Sequence, residues 1–290
     1  MYNKIIFATL LFAILSCNTS EQIPPEIAEP EESIYEDCLI ATSASSLEVM
    51  TWNIENYPIS ETTMEEVKDI IISLDADVIS LQEISSLAVF ETLVSELEGW
   101  EGEFALTGNI NLAFLYKTSE IELLESLTEI YTDNSSAFPR APAVIKIKHS
   151  LGDIHIIDIH LKCCGGAENV ARRMEASRLL KEYIDTTLPN EKVIVAGDFN
   201  DEIFSQDGTE KTFDNLIIDS DNYLFADMDI AMGNSSGWSY PSWPSHIDHL
   251  LITNEFFSQQ ITVETLDLKP CNLTYSSKVS DHRPVIMRIE

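Results

Sequence analysis

The chain has 290 residues, of which 44% are hydrophobic, so it can form one large domain or two small ones around an ordinary core. Its 49 acidic residues outnumber 17 basic ones, which gives a formal net charge of −32. This charge repels nucleic acid at long range and excludes a broadly basic binding surface. A few local arginines and a bound cation can still reverse the field inside one cleft.

The first 17 residues are predicted to be an export signal. Lys4 precedes an apolar run over 5–15, which is about signal-peptide length and too short to span a bilayer. The run ends in the sequence ILSC at Cys17, which resembles a bacterial lipoprotein signal, in which the cysteine is lipidated and becomes the mature N-terminus. An ordinary secretory signal is the alternative. We therefore expect an outer-membrane or cell-surface lipoprotein, or otherwise a periplasmic or secreted protein.

Residues 18–46 contain seven acidic residues, no basic ones and three prolines. Such a composition cannot bury enough apolar surface to fold alone, so we predict a flexible, self-repelling tether. An N-terminal strand packed on the domain would fit only the stretch over 35–40. The folded domain is predicted to span 47–290.

The domain begins with alternating strands and helices. Apolar residues at helical spacing over 61–74 and a serine N-cap at Ser85 indicate two helices. In chain order, the first half is predicted as strand 47–54, helix 61–74, strand 77–81, helix 85–97 and strands 111–116 and 121–131.

The second half begins with a hairpin, because the sequence SLGD at 150–153 separates two apolar runs. Its predicted elements are strands 143–148 and 153–161, an amphipathic helix over 168–187, and strands 192–196, 250–253, 261–266 and 285–289. Helices alternate with strands, but hairpins also occur, so we predict mixed sheets covered by helices.

Five polar clusters each lie at the end of a short apolar run. They are WNIE at 52–55, LQE at 81–83, AGDFN at 196–200, HIDH at 246–249 and SDHRP at 280–284. Since a strand is a rigid element, it can direct the polar side chain at its end toward a shared point. The five clusters together predict one acidic pocket able to hold a metal.

These clusters are similar, in type and order, to motifs of the endonuclease/exonuclease/phosphatase superfamily, over residues 47–290. The resemblance implies an α/β (α+β) fold in a single domain, with two packed mixed β-sheets flanked by helices in a four-layer sandwich. It also implies hydrolysis of a phosphoester by in-line attack of water. Mg²⁺ is the expected cofactor, with Mn²⁺ or Ca²⁺ as alternatives.

The resemblance implies that Glu83 is the main metal ligand. Mg²⁺ takes oxygen ligands and in proteins often uses one or two carboxylates together with water and substrate. Asn53 offers a neutral carbonyl ligand, and Asp281 offers a second carboxylate.

Five residues are expected to act on the substrate. Asp198 would orient or deprotonate the attacking water, and Asn200 would donate its amide to a phosphate oxygen. His282 is the expected general acid–base, with its tautomer fixed by Asp248, as in the family. His160 matches the other family histidine and would bind phosphate or protonate the leaving group.

The sequence FPRAP at 138–142 resembles a segment of the deoxyribonuclease I branch in which the arginine contacts phosphate, so Arg140 is the expected phosphate-binding residue. His246 and His249 depart from the family pattern, as does the adjacent pair Cys163 and Cys164. Of the two arginines at 172 and 173, we expect one to pair with an acidic neighbour.

Four cysteines remain after Cys17, and an exported protein favours their oxidation. Four cysteines allow three pairings, and the sequence does not choose among them. We expect at least one bridge from Cys163 or Cys164 to Cys38 or Cys271.

The predicted function is hydrolysis of a phosphodiester, with DNA or RNA as the expected partner and the protein acting as a monomer. A sphingomyelinase-like or inositol-phosphate-cleaving enzyme is the alternative. An inactive surface binding protein with the same fold is an alternative of another class. It would be expected to have lost part of the motif set, which is complete here.

Overall fold

The computed structural model describes residues 34, 35, 38, 46–204 and 212–290. The predicted export signal with Cys17 and most of the predicted tether over 18–46 lie outside the described residues. Within the described part of the chain, no helix is long and apolar enough to cross a membrane.

The first six-stranded sheet carries the N-terminal half of the domain and the last two strands. Its strands are β1 (Leu47–Tyr57), β2 (Val78–Ile84), β3 (Trp100–Ala105), β4 (Asn111–Lys117), β11 (Ile261–Thr265) and β12 (Val285–Ile289). Their order is β11-β12-β1-β2-β4-β3. Only the central pair, β1 and β2, is parallel.

The second sheet has the same plan. Its strands are β5 (Glu122–Glu129), β6 (Ala143–His149), β7 (Gly152–His160), β8 (Lys192–Asp198), β9 (Tyr223–Phe225) and β10 (Asp248–Thr253), in the order β5-β6-β7-β8-β10-β9. Again only the central pair, β7 and β8, is parallel. Both sheets are therefore mixed, as predicted.

Helices cover the outer faces of the sheets. They are α1 (Thr63–Leu74), α2 (Leu87–Ser95), α3 (Ala167–Thr187), α4 (Asp214–Ile217), α5 (Met228–Ala231) and α6 (Tyr275–Lys278). One apolar cluster joins α1 and α2 to the first sheet, a second fills the space between the sheets, and a third joins α3 to the second sheet. These three interfaces confirm the four-layer α/β sandwich in a single domain.

Several predicted boundaries were wrong. The N-cap of α2 is Ser86 rather than Ser85, and its hydroxyl accepts a hydrogen bond from the Val89 amide. Strands β3 and β9 and the three short helices were not predicted. Strand β3 has the sequence WEGEFA. Its glycine and two glutamates are uncommon in strands and obscure the alternation of apolar and polar residues that is typical of one.

The fold begins before Leu47. Tyr35 is fully buried, and its hydroxyl donates a 2.6 Å hydrogen bond to Glu66 on α1. Cys38 forms a disulfide with Cys271. The expected bridge from Cys163 or Cys164 to one of these cysteines is therefore wrong, and both adjacent cysteines are free thiols.

Candidate active site

The register of the second sheet brings three predicted site residues side by side. His160 ends β7 and pairs with Asp198 at the end of β8, which in turn pairs with Asp248 at the start of β10. Because β10 runs antiparallel to β8, its first residue lies at the same edge as the last residues of β7 and β8. This edge faces a cavity of about 530 Å³.

The first sheet contributes the opposite wall of this cavity. Asn53 on β1 pairs with Gln82 on β2, next to Glu83. Asp281 and His282 lie just before β12, the antiparallel neighbour of β1. The structure thus brings all nine predicted site residues to one end of the sandwich.

Asp248 and His282 form a buried pair. Nδ1 of His282 lies 2.8 Å from Oδ2 of Asp248. Burial alone would lower the pKa of His282, but the carboxylates of Asp248, Asp198 and Asp281 outweigh it and raise the pKa to about 10. The imidazole is therefore protonated at neutral pH and can donate a proton from Nε2.

Asp198 lies between the two sheets and is also buried. It accepts hydrogen bonds from the side-chain amide of Asn53 at 3.1 Å and from the backbone N–H of Asn200 at 2.9 Å. Burial and the nearby Asp248 raise its pKa to about 7. A carboxylate with such a pKa can accept a proton near neutral pH.

His160 faces Asp198, with Nε2 at 3.4 Å from Oδ2. Burial, together with Arg140 and His282, holds the pKa of His160 well below its usual range. His160 is therefore neutral, in contrast to His282. Arg140 approaches from the same side and donates a hydrogen bond to the carbonyl of Leu161 at 3.3 Å.

Three carboxylates lie close together on the side of the cavity where a metal is predicted to bind. Burial and the carboxylate of Glu83 contribute to the raised pKa of Asp281. Burial, Asp281 and Glu83 raise the pKa of Glu55 as well. A group of neighbouring carboxylate oxygens fits a hard divalent cation, which would relieve their mutual repulsion.

Glu55 was not predicted as a site residue. It lies within the WNIE motif, but its backbone is left-handed, with φ 35°. A glutamate in the sequence does not indicate this conformation, so the direction of its side chain could not be predicted. Its carboxylate accepts a 3.0 Å hydrogen bond from the backbone N–H of Asp281 and so connects β1 to the loop before β12.

The side-chain amide of Asn53 is oriented differently from the prediction, in which its carbonyl oxygen is a metal ligand. Its Oδ1 accepts a hydrogen bond from the backbone N–H of Glu55 at 3.0 Å. Its Nδ2 donates to Glu83 at 3.2 Å and to Asp198 at 3.1 Å. Asn53 therefore positions two carboxylates, and its oxygen accepts from the backbone.

Backbone geometry explains the Gly-Asp-Phe-Asn sequence. Gly197 has φ +156°, and a Cβ there would lie 2.1 Å from the carbonyl oxygen of Ile159 on β7. Only glycine permits this approach of β8 to β7. Asn200, at φ 55°, turns the chain back so that its Nδ2 donates to the Leu161 carbonyl at 3.2 Å.

His246 and His249 lie outside the cavity lining, around buried Asp227. Nδ1 of His249 is 2.5 Å and Nε2 of His246 is 3.0 Å from Oδ2 of Asp227. Asp227 also accepts the backbone N–H of Leu250 on β10. This cluster braces the start of β10, next to Asp248.

The loop after β7 forms the rim of the cavity. Arg173 on α3 pairs with Asp201 at 2.8 Å and donates to the carbonyls of Lys162 and Cys164. The expectation that one of the two adjacent arginines pairs with an acidic residue is confirmed. The free sulfurs of Cys163 and Cys164 lie 2.7 Å apart at this rim.

A sequence model of the Endonuclease/Exonuclease/phosphatase family matches residues 50–282. No functionally curated protein matches the chain.

The fold is similar to several solved structures. D. rerio TDP2 complexed with single strand DNA product has a TM-score of 0.68 and 14% identity, over 85% of this chain and 99% of that one. The human nocturnin catalytic domain with bound sulfate has a TM-score of 0.63 and 19% identity, over 84% and 93%. A Bacteroides thetaiotaomicron mannosyl-6-phosphatase has a TM-score of 0.62 and 14% identity, over 84% and 100%. At these identities the likeness concerns the fold alone.

Proposed function

The chain belongs to the endonuclease/exonuclease/phosphatase family, and from this premise we propose that it is a Mg²⁺-dependent phosphodiesterase acting on nucleic acid. One observation carries the proposal. His282, which is held by buried Asp248, lines the same cavity as the carboxylates of Glu83 and Asp281. An inactive binding protein would have no need for this arrangement.

Glu83 and Asp281 would hold the metal, and Glu55 is close enough to assist. A bound divalent cation supplies positive charge that stabilises the phosphate as its negative charge grows. The donors are oxygens, which suits Mg²⁺, with Mn²⁺ and Ca²⁺ as alternatives.

The remaining residues perform the proton transfers. Asp198 accepts a proton from the attacking water, while Asn53 and Asn200 hold its carboxylate in place. As the bond between phosphorus and the leaving oxygen breaks, protonated His282 donates a proton to that oxygen. Arg140 and neutral His160 face the same space and would contact the non-bridging oxygens.

Nucleic acid is proposed because D. rerio TDP2, which has the same fold, is known in complex with a single-strand DNA product. A compact phosphate ester is the second candidate. Among the described residues, the cations lining the cavity are Arg140, Arg173 and protonated His282, and the last two are paired with Asp201 and Asp248. This scarcity of cations favours a substrate with few phosphates. The mannosyl-6-phosphatase structure is a precedent on this fold.

An activity panel on the purified full chain tests the proposal. The substrates are plasmid DNA, single-stranded DNA, RNA, sphingomyelin, inositol phosphates and a sugar phosphate, each with Mg²⁺ and with chelator. We expect Mg²⁺-dependent cleavage of nucleic acid that Asp198→Asn abolishes and the exposed control Asp133→Asn leaves intact. Turnover of sphingomyelin, inositol phosphates or the sugar phosphate alone would replace the proposed substrate class. Turnover that resists chelation would overturn the metal requirement.

We propose in addition that the protein is exported and tethered to a membrane through a lipid on Cys17, and that it acts as a monomer. The lipoprotein-like sequence ending at Cys17 supports the anchor. Mass spectrometry of the membrane fraction tests it, with Cys17→Ser as the control. An unmodified mature N-terminus at another residue would contradict it.

A further inference from the structure

One large apolar side chain stands exposed at the mouth of the catalytic cavity. Trp243 is 79% exposed, and within the described part of the chain it is the exposed large hydrophobic residue among those lining the cavity. An indole in water at the entrance to a polar site has no role in the core. Its flat face is available to a ligand.

The loop that presents Trp243 is constrained. Tyr240 and Ser245 close it through two backbone hydrogen bonds, of 3.0 and 3.2 Å. The Ser245 hydroxyl donates to the carbonyl of Trp243 at 2.9 Å. Pro241 and Pro244 fix two further φ angles. The backbone of the loop therefore loses little conformational entropy when a ligand contacts the indole.

The same loop contacts two of the residues proposed to act on the substrate or hold the metal, His282 and Asp281. The ring of Tyr240 packs on the imidazole of His282 with a centroid distance of 4.8 Å. The Tyr240 hydroxyl faces the Asp281 carboxylate, and burial together with this carboxylate raises the pKa of Tyr240. Since both contacts lie between Tyr240 and the predicted acid–base and metal-binding residues, the loop that carries the indole is held next to those groups.

We propose that Trp243 is a stacking platform for an unpaired nucleobase next to the scissile phosphate. The inference rests on the proposed function and narrows it to single-stranded or terminal nucleotides. Aromatic side chains bind successive bases of single strands in this way, without regard to sequence.

The surroundings of Trp243 favour a base over other groups. Lipid tails need a wider apolar surface than Trp243 and Ile247 provide at this cavity. The negative charge of Glu202 at the rim disfavours the many phosphates of a duplex or of a polyphosphorylated ring. A base in a duplex is already stacked, whereas an unpaired base is free to bind the indole.

Two matched single-stranded oligonucleotides test the platform. One carries a base at the nucleotide beside the scissile phosphate, and the other is abasic there. We measure kcat/KM for both with the full-length wild type, Trp243→Ala, Trp243→Phe and Leu273→Ala. Leu273 is 82% exposed and lies outside the cavity lining, so it controls for the loss of an exposed apolar group.

We expect the wild type to prefer the base-bearing substrate and Trp243→Ala to reduce this preference roughly tenfold. Trp243→Phe should restore part of it, and Leu273→Ala should not change it. Equal kcat/KM for both substrates in the wild type, or an unchanged preference in Trp243→Ala, would overturn the inference.

A binding measurement separates this inference from the proposed function. With chelator present, a nucleoside monophosphate should quench the tryptophan fluorescence of the wild type but not that of Trp243→Phe. If no oligonucleotide is cleaved yet this quenching occurs, the proposed nuclease function fails and the platform stands. If a sugar phosphate quenches as well as the nucleotide, the subsite recognises the sugar and the inference fails.

Discussion

Nδ1 of His282 lies 2.8 Å from Oδ2 of Asp248, and both side chains are buried. The carboxylate orients the imidazole and keeps it protonated, so the two residues are expected to act as one unit.

We predict that His282→Gln lowers kcat about 10²–10⁴-fold. Asp248→Asn should cause part of the same loss, because its amide does not stabilise the imidazolium. The double variant should be little worse than His282→Gln alone. Fully additive losses in steady-state kinetics, with circular dichroism showing folded protein, would contradict the pairing.

We predict that Glu83→Gln weakens metal binding while the fold persists. The substitution keeps the size of the side chain and removes a charge from a crowded carboxylate cluster. Titration calorimetry with Mg²⁺ should show a clear loss of affinity, whereas Glu91→Gln, on the exposed face of α2, should match the wild type. Near-normal turnover of Glu83→Gln at low Mg²⁺ would refute the ligand assignment.

We predict that Asp77 makes the protein less stable as the pH rises. Burial raises its pKa from 3.8 to about 6. The folded state therefore binds more protons than the unfolded state between these values, and the free energy of unfolding falls as pH rises through this window. The difference of about 2 pH units corresponds to at most about 3 kcal/mol.

Asp77→Asn should remove this fall in the free energy of unfolding, because an amide does not ionise. Its oxygen can still accept the 2.8 Å hydrogen bond from the Glu48 backbone. Urea denaturation at pH 7.5 should show a gain of roughly 1–3 kcal/mol over the wild type. At pH 4 the gain should vanish, and Asp133→Asn should show no such dependence. A gain that is equal at both pH values would refute the role of Asp77.

The disulfide between Cys38 and Cys271 should contribute substantially to stability. It closes a sequence separation of 233 residues and restricts the unfolded chain. Serine at both positions should lower the free energy of unfolding by about 2–5 kcal/mol. Serine at Cys163 and Cys164 should leave it nearly unchanged. Equal effects of the two double variants in non-reducing urea melts would disprove this distinction.

Free thiols at the rim should be accessible to alkylation. Cys164 is exposed and lines the cavity. A bulky maleimide on it should slow cleavage of a polymeric substrate by obstructing the entrance, while Cys164→Ser should resist the reagent. Thiol counting on the denatured, unreduced protein should find Cys163 and Cys164 free. A count that lacks both would restore the original expectation that they are oxidised.

The sequence predicted the fold, and it also predicted which side chains meet at one end of the sandwich, because the motifs lie at strand ends, where the backbone fixes their direction. His160, Asp198 and Asp248 meet through strand register alone. The role of Asn53 was not predictable in this way, since the hydrogen bond from Glu55 decides which end of its amide faces the carboxylates. Glu55 was missed because its orientation depends on a left-handed backbone angle.

The cysteine pairing was missed for a different reason. Cys38 meets Cys271 where buried Tyr35 packs between α1 and the segment before α6, with its hydroxyl in contact with Glu66 and Asn272. No local pattern in the sequence encodes that contact. Adjacent Cys163 and Cys164 were candidates for a disulfide bridge. The rim loop that carries them is instead held by Arg173, which donates hydrogen bonds to the carbonyls of Lys162 and Cys164.

The bond between Cys38 and Cys271 also determines how the domain responds to mechanical force. A pull applied to the chain ahead of Cys38 enters the fold at this covalent link and is transmitted to the segment that leads into α6 and β12. The force therefore bypasses strand β1, which carries Asn53 and Glu55, and does not break its hydrogen bonds to the neighbouring strands in sequence. In a reducing medium only the non-covalent contacts of Tyr35 with Glu66 and Asn272 would stand between the same pull and β1, so the geometry of the site would become sensitive to tension.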